Sequence, residues 1–157
     1  MIYISGFITV ILFILVMFYV NPTIDSHYGL EVLKLQISFY KDAGIDIVNV
    51  WNDNGIKSFF NLIWIDYIYA LNYSIFFYFL LIKLHVKSWY VYTPFIAGLF
   101  DWIENTIEIL FLRNIEEFSN SLFFLHSVIA SIKWLFLPIV VYMIFYNLFS
   151  RSKKQYI

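Results

Sequence analysis

An otherwise apolar stretch, residues 98–113, contains three carboxylates and one amide. They are Asp101, Glu104, Asn105 and Glu108. Their i, i+3, i+4, i+7 spacing places all four on one face of an α-helix. In water this face would be a solvated stripe. The flanking sequence instead predicts burial in a membrane, where a charge is costly unless it is paired, protonated or used, so the stripe marks a candidate site.

Lys133 is the cation expected to face this stripe. Asp101 lies eleven residues before the predicted end of its apolar span, and Lys133 lies eleven residues after the predicted start of the next one. The rise of an α-helix puts both residues roughly 16 Å from the same membrane surface. The two opposite charges are therefore predicted to pair near the middle of the bilayer, with Glu104 and Asn105 nearby.

A second, outer group is predicted closer to that surface. Glu108 and His126 each lie four residues inside their spans, roughly 6 Å deep, and Asp66 lies at a similar depth in another span. Tyr69 follows Asp66 by three residues and shares its helix face. The candidate ligand-binding residues of the two groups are Asp66, Tyr69, Asp101, Glu104, Asn105, Glu108, His126 and Lys133.

Carboxylates outnumber cations in this set. The surplus requires either that some carboxyls are protonated or that a bound cation completes the site. The alternative interpretation is a buried polar network that only fixes the register of the helices. Ser127 and Ser131 neighbour His126 and Lys133 but form no recognisable nucleophile motif, so no catalytic residue is assigned.

Cofactor motifs are missing from the sequence. The outer group could bind a metal, but no helix carries a His-x3-His or Glu-x2-His pair, so the signal is weak and no metal ligand is assigned. A single histidine within the predicted spans argues against haem held by two histidines, and the chain has no cysteine to supply a thiolate. The identity of any cofactor is left unknown.

Composition places the chain in the membrane class. Of its 157 residues, 62% are hydrophobic and only 13% are charged, and its mean hydropathy is +0.76. Soluble domains carry about 25% charged residues, so this chain could not cover a core with polar surface. The lipid bilayer is the expected partner. A net charge of −1 argues against nucleic acid as a partner.

The predicted fold is all-α, an integral membrane four-helix bundle with an amphipathic extramembrane helical cap between the first and second spans. Its predicted parts are a first span at 3–20, an external cap at 21–58, spans at 59–84, 89–112 and 122–149, and a basic cytoplasmic tail at 150–157. Pro94 is expected in the first turns of the third span, where its missing N–H is tolerated.

The predicted cap contains one amphipathic helix. Ser26 could cap its N-terminus and Gly44 could end it just after Ala43. Residues 52–55, Asn-Asp-Asn-Gly, are typical of a turn before the second span. This segment is interpreted either as a packed cap on the bundle or as a lid over an intramembrane site.

The basic residues predict the orientation. The loop at 83–87 and the tail at 151–154 are rich in lysine and arginine and fall on one side of a four-span layout. The positive-inside rule then places both chain ends in the cytoplasm and the cap outside. The expected location is the plasma membrane, the inner membrane of a bacterium. Whether the chain forms a homo-oligomer is left open.

Several of these residues together resemble a group of small, bacterial-type four-helix membrane proteins with no assigned activity. The residues of the resemblance are Gly55, Lys57 and Phe60 before the second span, Asp66 and Tyr69 within it, Asp101-x-x-Glu104-Asn105 in the third span and Lys133 in the fourth. The resemblance covers roughly residues 27–149, and it implies a fold but no reaction. In architecture the chain is also similar to the sterol-isomerase and sigma-2-receptor type of four-helix protein.

Three functions are compatible with this sequence. The first is the binding or passage of a small ligand, lipid or cation in an acidic intramembrane pocket, with Asp101 and Glu104 as the charge centre. The second is an intramembrane enzyme acting on a lipid or isoprenoid, with Glu104 or His126 transferring a proton. The third is a non-catalytic subunit of a membrane assembly.

Overall fold

A computed structural model of the chain describes residues 2–20, 30–51, 53–86 and 89–154, and these ranges contain six α-helices and no strand. The helices are α1 Ile2–Leu15, α2 Leu30–Gln36, α3 Lys41–Val50, α4 Asp53–Lys83, α5 Thr93–Arg113 and α6 Asn120–Lys154. A π-helical turn, Val16–Val20, extends α1, and a 3-10 turn, Trp89–Tyr92, precedes α5. The predicted all-α class is confirmed.

The long helices pack in a defined order. Helix α5 packs extensively against both α4 and α6, and α1 packs along α4. The short helices α2 and α3 contact each other and α6. Helix α5, which carries the stripe of carboxylates, therefore lies between the two longest helices of the described chain.

Two of the described helices are long and apolar enough to cross a membrane, Asp53–Lys83 in α4 and Asn120–Leu148 in α6. The apolar N-terminal helix, Ile2–Phe18, is shorter. Helix α5 carries Asp101, Glu104 and Glu108 within the length of a single span, which lowers its hydrophobicity. Length and composition thus support two of the four predicted spans.

Helices α4 and α5 approach each other closely at Gly98. A Cβ atom on Gly98 would lie 2.3 Å from Ser74 Oγ and 3.2 Å from the carbonyl oxygen of Ala70, so only glycine fits this contact. Pro94 lies in the first turn of α5, as predicted. The close approach brings the adjoining turns of the two helices within reach of each other. These turns, before the contact in α4 and after it in α5, carry the polar residues.

The predicted cap helix is wrong in the part that the structure describes. Two helices, α2 and α3, replace it. Helical structure is interrupted at residues 37–40, where Phe39 adopts a left-handed backbone with φ 58°. Gly44 does not end a helix but lies inside α3, where a Cβ would be 2.3 Å from Phe123 Cζ. Gly44 thus serves close packing onto α6. The proposed capping residue, Ser26, lies outside the described residues.

The turn predicted before the second span also needs correction. Helix α4 begins at Asp53 rather than at residue 59, so Asp53 to Gly55 form its first turn instead of a loop. A carboxylate in the first turn interacts favourably with the helix dipole, which explains how this polar sequence can be helical. Asn52 lies outside the described residues. At the other end of the chain, α6 continues to Lys154, into the predicted tail.

Apolar residues bury both ends of the polar stripe on α5. Towards the N-terminus of α5, Ala97 packs in a cluster with Ala70 and Tyr73 of α4. Towards its C-terminus, Ile107 and Phe111 belong to a larger apolar cluster. That cluster includes Leu35 of α2, Val48 of α3, Phe59 and Ile63 of α4, and Phe123 and Ile129 of α6. The polar residues of α5 therefore lie between two apolar layers.

Candidate functional site

Lys133 of α6 forms the centre of a buried ionic cluster. Its Nζ atom lies 2.8 Å from Asp101 Oδ1 and 2.7 Å from Glu104 Oε2. The side chains of all three residues are buried, with Glu104 fully enclosed. Asp101 and Glu104 are three residues apart on α5, which lets one ammonium group from α6 reach both carboxylates. The predicted pairing of Asp101 with Lys133 is present in the structure.

Tyr73 of α4 extends this cluster to a third helix. Its hydroxyl donates a hydrogen bond of 2.8 Å to Asp101 Oδ2, and the contact is buried. Tyr73 lies four residues after Tyr69 on the same helix face, but no sequence pattern indicates that it reaches Asp101. Tyr69 lies beside it, with the two rings 5.3 Å apart in an edge-to-face arrangement. Asp101 thus has one partner on α4 and one on α6.

Asp66 occupies a different position from the predicted one. Asn105 Nδ2 donates a hydrogen bond of 2.9 Å to Asp66 Oδ2. The amide of the α5 stripe therefore contacts Asp66, whereas it was predicted to lie near Lys133. The prediction grouped Asp66 with Glu108 and His126 in an outer layer. The depth of a residue, counted from helix rise, gives no information on how each helix is rotated about its axis. The contact between Asn105 and Asp66 was therefore not predicted.

The predicted contact between Glu108 and His126 is formed. His126 Nε2 lies 3.2 Å from Glu108 Oε1, and each side chain is only 2% exposed. The ring of Phe123, one turn earlier on α6, has its centroid 5.6 Å from that of His126. The pair is therefore enclosed by protein.

Glu104 joins the two groups. Glu104, Glu108 and His126 each offer one carboxylate oxygen or ring nitrogen, and these three atoms all lie within 4.8 Å of one another. Among the described residues, neither Glu104 Oε1 nor His126 Nδ1 has a hydrogen-bond partner, although both atoms are buried. The predicted deep and outer layers are thus one continuous polar cluster along α5.

Sequence reasoning also missed the contacts that hold α2 and the following turn against α6. The backbone N–H of Phe39 donates a hydrogen bond of 3.1 Å to Ser127 Oγ. Trp134 Nε1 donates one of 3.2 Å to Gln36 Oε1. Ser127 and Trp134 follow His126 and Lys133 directly in sequence, so the short helices cover the part of α6 that carries the site. No short motif marks such long-range pairs.

The comparisons with known proteins give no relative of this chain. No protein-family model, no curated protein and no solved structure matches its sequence or its fold. The function therefore has to be inferred from the geometry of the site itself.

Proposed function

We propose that this chain is a multi-pass integral membrane protein that binds or passes a small cation, lipid or other small ligand in an acidic pocket between its helices. The observation that carries the proposal is the buried charge imbalance. Among the residues whose burial is described, Asp101, Glu104 and Glu108 are buried against a single buried lysine, Lys133, and Asp66 adds a fourth carboxylate at the edge of the cluster. A cationic group would supply the missing positive charge.

The distribution of side chains supports a membrane location. The interior of α5 and α6 contains ionisable residues, whereas their outer faces are apolar, with Leu99 57% exposed and Leu135 67% exposed. Water-soluble proteins show the opposite pattern. Polar side chains inside and apolar side chains outside are expected where the surrounding solvent is lipid.

This pattern also supports the spans that length and composition alone do not. The carboxylates of α5 face α4 and α6, and its exposed positions include Trp102, Ile103 and Leu110. In a bilayer such a helix presents apolar side chains to lipid despite its charges. With α1 packed along α4, the proposal is a four-helix membrane bundle, in line with the resemblance to small four-helix membrane proteins.

The proposed topology follows from the basic segments and can be tested directly. We expect both chain ends in the cytoplasm of a bacterial cell and the α2–α3 segment outside. Reporter fusions at Ile45 and at the C-terminus should give opposite signals, with alkaline phosphatase active only at the first and a fluorescent protein bright only at the second. Equal signals at both positions would contradict an odd number of spans between them.

The buried pair of Glu108 and His126 favours a second candidate function. A histidine beside a carboxylate can accept and return a proton, so the same pocket could hold an enzyme acting on a lipid or isoprenoid. Such an enzyme would lose turnover when its acid is replaced while it still binds its substrate. A subunit of a membrane assembly would instead keep its function when the charges are replaced by neutral side chains.

The ligand is tested by native mass spectrometry of the full chain released from mild detergent. The wild type should carry a discrete additional mass, and Asp101→Asn should lose it, because the replacement removes one of the two carboxylates that position Lys133. Asp46→Asn, at an exposed position on α3, is the matched control and should keep the mass. A bare chain in all three samples would favour a purely structural network.

A further inference from the structure

Two buried carboxylates and an imidazole converge between α5 and α6. Glu104 and Glu108 are four residues apart on one face of α5, and His126 faces them from α6. One donor atom from each residue lies within 4.8 Å of the other two. All three side chains are at most 2% exposed.

From this arrangement we infer that Glu104, Glu108 and His126 bind a divalent transition-metal ion of the zinc class. The inference rests on the proposed function, since it names a ligand for the same acidic pocket. No metal ligand was assigned from the sequence because its patterns were sought within one helix, whereas these donors come from two.

The kinds of donor atom select the metal. Magnesium and calcium prefer ligand sets made of oxygen atoms, whereas an imidazole nitrogen beside carboxylate oxygens suits zinc, manganese or iron. Three protein ligands with one histidine and two carboxylates leave a coordination position open for water or a substrate. A site that only stabilises the fold would usually be closed by a fourth protein ligand.

Unused hydrogen-bonding capacity points independently to a ligand. Within the described chain, Glu104 Oε1 is buried without a hydrogen-bond partner. Leaving a buried polar atom unpaired costs about 1–3 kcal/mol, more for a charged group, so native proteins rarely do so without a reason. A metal ion would provide the partner that Glu104 Oε1 lacks, while Oε2 keeps its contact with Lys133.

Small side-chain movements are sufficient to close the site. Ligand atoms on a tetrahedral zinc ion, at about 2.0–2.2 Å from the metal, are roughly 3.4 Å apart. The contact between His126 Nε2 and Glu108 Oε1, 3.2 Å, is already this short. The three donor atoms lie within 4.8 Å of one another, so Glu104 would have to approach the other two by at most about 1.4 Å to reach ligand distances.

The charge balance is compatible with a bound dication. Lys133 Nζ is already held by Asp101 Oδ1 at 2.8 Å and by Glu104 Oε2 at 2.7 Å, and it is not one of the three converging groups. The dication would offset the carboxylates that Lys133 cannot balance. Asp101 is not among the converging donors, so the proposed ligands are Glu104, Glu108 and His126 alone.

The test uses the full chain in mild detergent, stripped with a chelator and then dialysed against Zn²⁺. We expect about one zinc per chain by elemental mass spectrometry. Glu104→Gln and His126→Gln should each weaken binding by at least about tenfold, since each removes a direct ligand. His85→Gln, which replaces an exposed histidine outside the cluster, should leave the stoichiometry unchanged.

A second readout needs no variant. Co²⁺ replacing zinc in the stripped wild type should give the visible absorption of a four- or five-coordinate site with nitrogen and oxygen ligands. A wild type that takes up no metal, a cobalt spectrum of six water-like ligands, or equal zinc in His126→Gln and the wild type would each overturn the inference. If Glu104→Gln does not fold, zinc binding by His126→Gln and the cobalt spectrum of the wild type test the metal site without it.

The two proposals can fail separately. The chain could take up no metal and still carry an organic mass that Asp101→Asn removes. This result would disprove the metal site and support the proposed acidic binding pocket. A chain with neither metal nor any additional mass disproves both. Zinc that persists in His85→Gln and disappears in His126→Gln supports the metal site at the predicted donors.

Discussion

Replacing Lys133 by methionine is expected to lower the free energy of unfolding by about 3–5 kcal/mol. The ammonium group is buried between Asp101 and Glu104, at 2.8 and 2.7 Å. Methionine keeps a similar side-chain length but removes the charge, which leaves both carboxylates uncompensated. Thermal and denaturant-induced unfolding in mild detergent would measure the loss.

Compensating replacements test whether the charge is the cause. Asp101→Asn added to Lys133→Met should restore part of the stability, and Glu104→Gln as a third change should restore more. Lys34→Met is the matched control. Lys34 is 61% exposed and pairs with Glu31 on the surface, so its loss should change stability by only about 0–1 kcal/mol. Equal melting temperatures for the wild type, the single and the double variant would disprove a stabilising ion pair.

Replacing Phe123 by alanine should have a comparable effect, about 3–5 kcal/mol. The ring is 1% exposed and packs edge-to-face on Phe111, with the centroids 4.9 Å apart. It also lies directly against the backbone of α3 at Gly44. The variant therefore opens a cavity where three helices meet, and unfolding experiments would measure the loss.

Local readouts separate this effect from a general loss of stability. Since Phe123 anchors α3 on α6, amide hydrogen exchange should increase more in residues 41–50 than in the middle of α4. Phe7→Ala removes the same ring from a side chain that is 68% exposed on α1, and we expect little change from it. A Phe123→Ala protein as stable as Phe7→Ala would show that the ring does not anchor α3.

Helix periodicity and the constant rise of a helix were sufficient to predict that Asp101 and Lys133 meet. Both residues lie eleven positions from the facing ends of their predicted spans, and Lys133 is the only lysine or arginine within the predicted spans at that depth. The same reasoning failed for Asp66, because the rotation of α4 about its axis decides its partner. Rotation depends on close packing, such as the contact of Gly98 with Ser74, and a single sequence does not encode that pairing in a readable pattern.

Two further features could not be derived from local sequence patterns. Gly44 has the sequence context of a helix end. In the structure its lack of a side chain makes room for the ring of Phe123, which lies 79 positions further along the chain. The convergence of Glu104 and Glu108 with His126 depends on two helices packing face to face. In both cases one residue acquires its role from a distant element, so no short window of sequence contains the information.

The junction between α2 and α3 has a consequence for the kinetics of access to the site. Phe39 holds a left-handed backbone conformation, which costs a non-glycine residue about 1–2 kcal/mol. Its N–H is held by the hydroxyl of Ser127, next to His126. A strained junction at the surface of the bundle should open locally far more often than the whole protein unfolds. The rate of that opening, rather than diffusion, would then set how fast a solute from the α2–α3 side reaches His126.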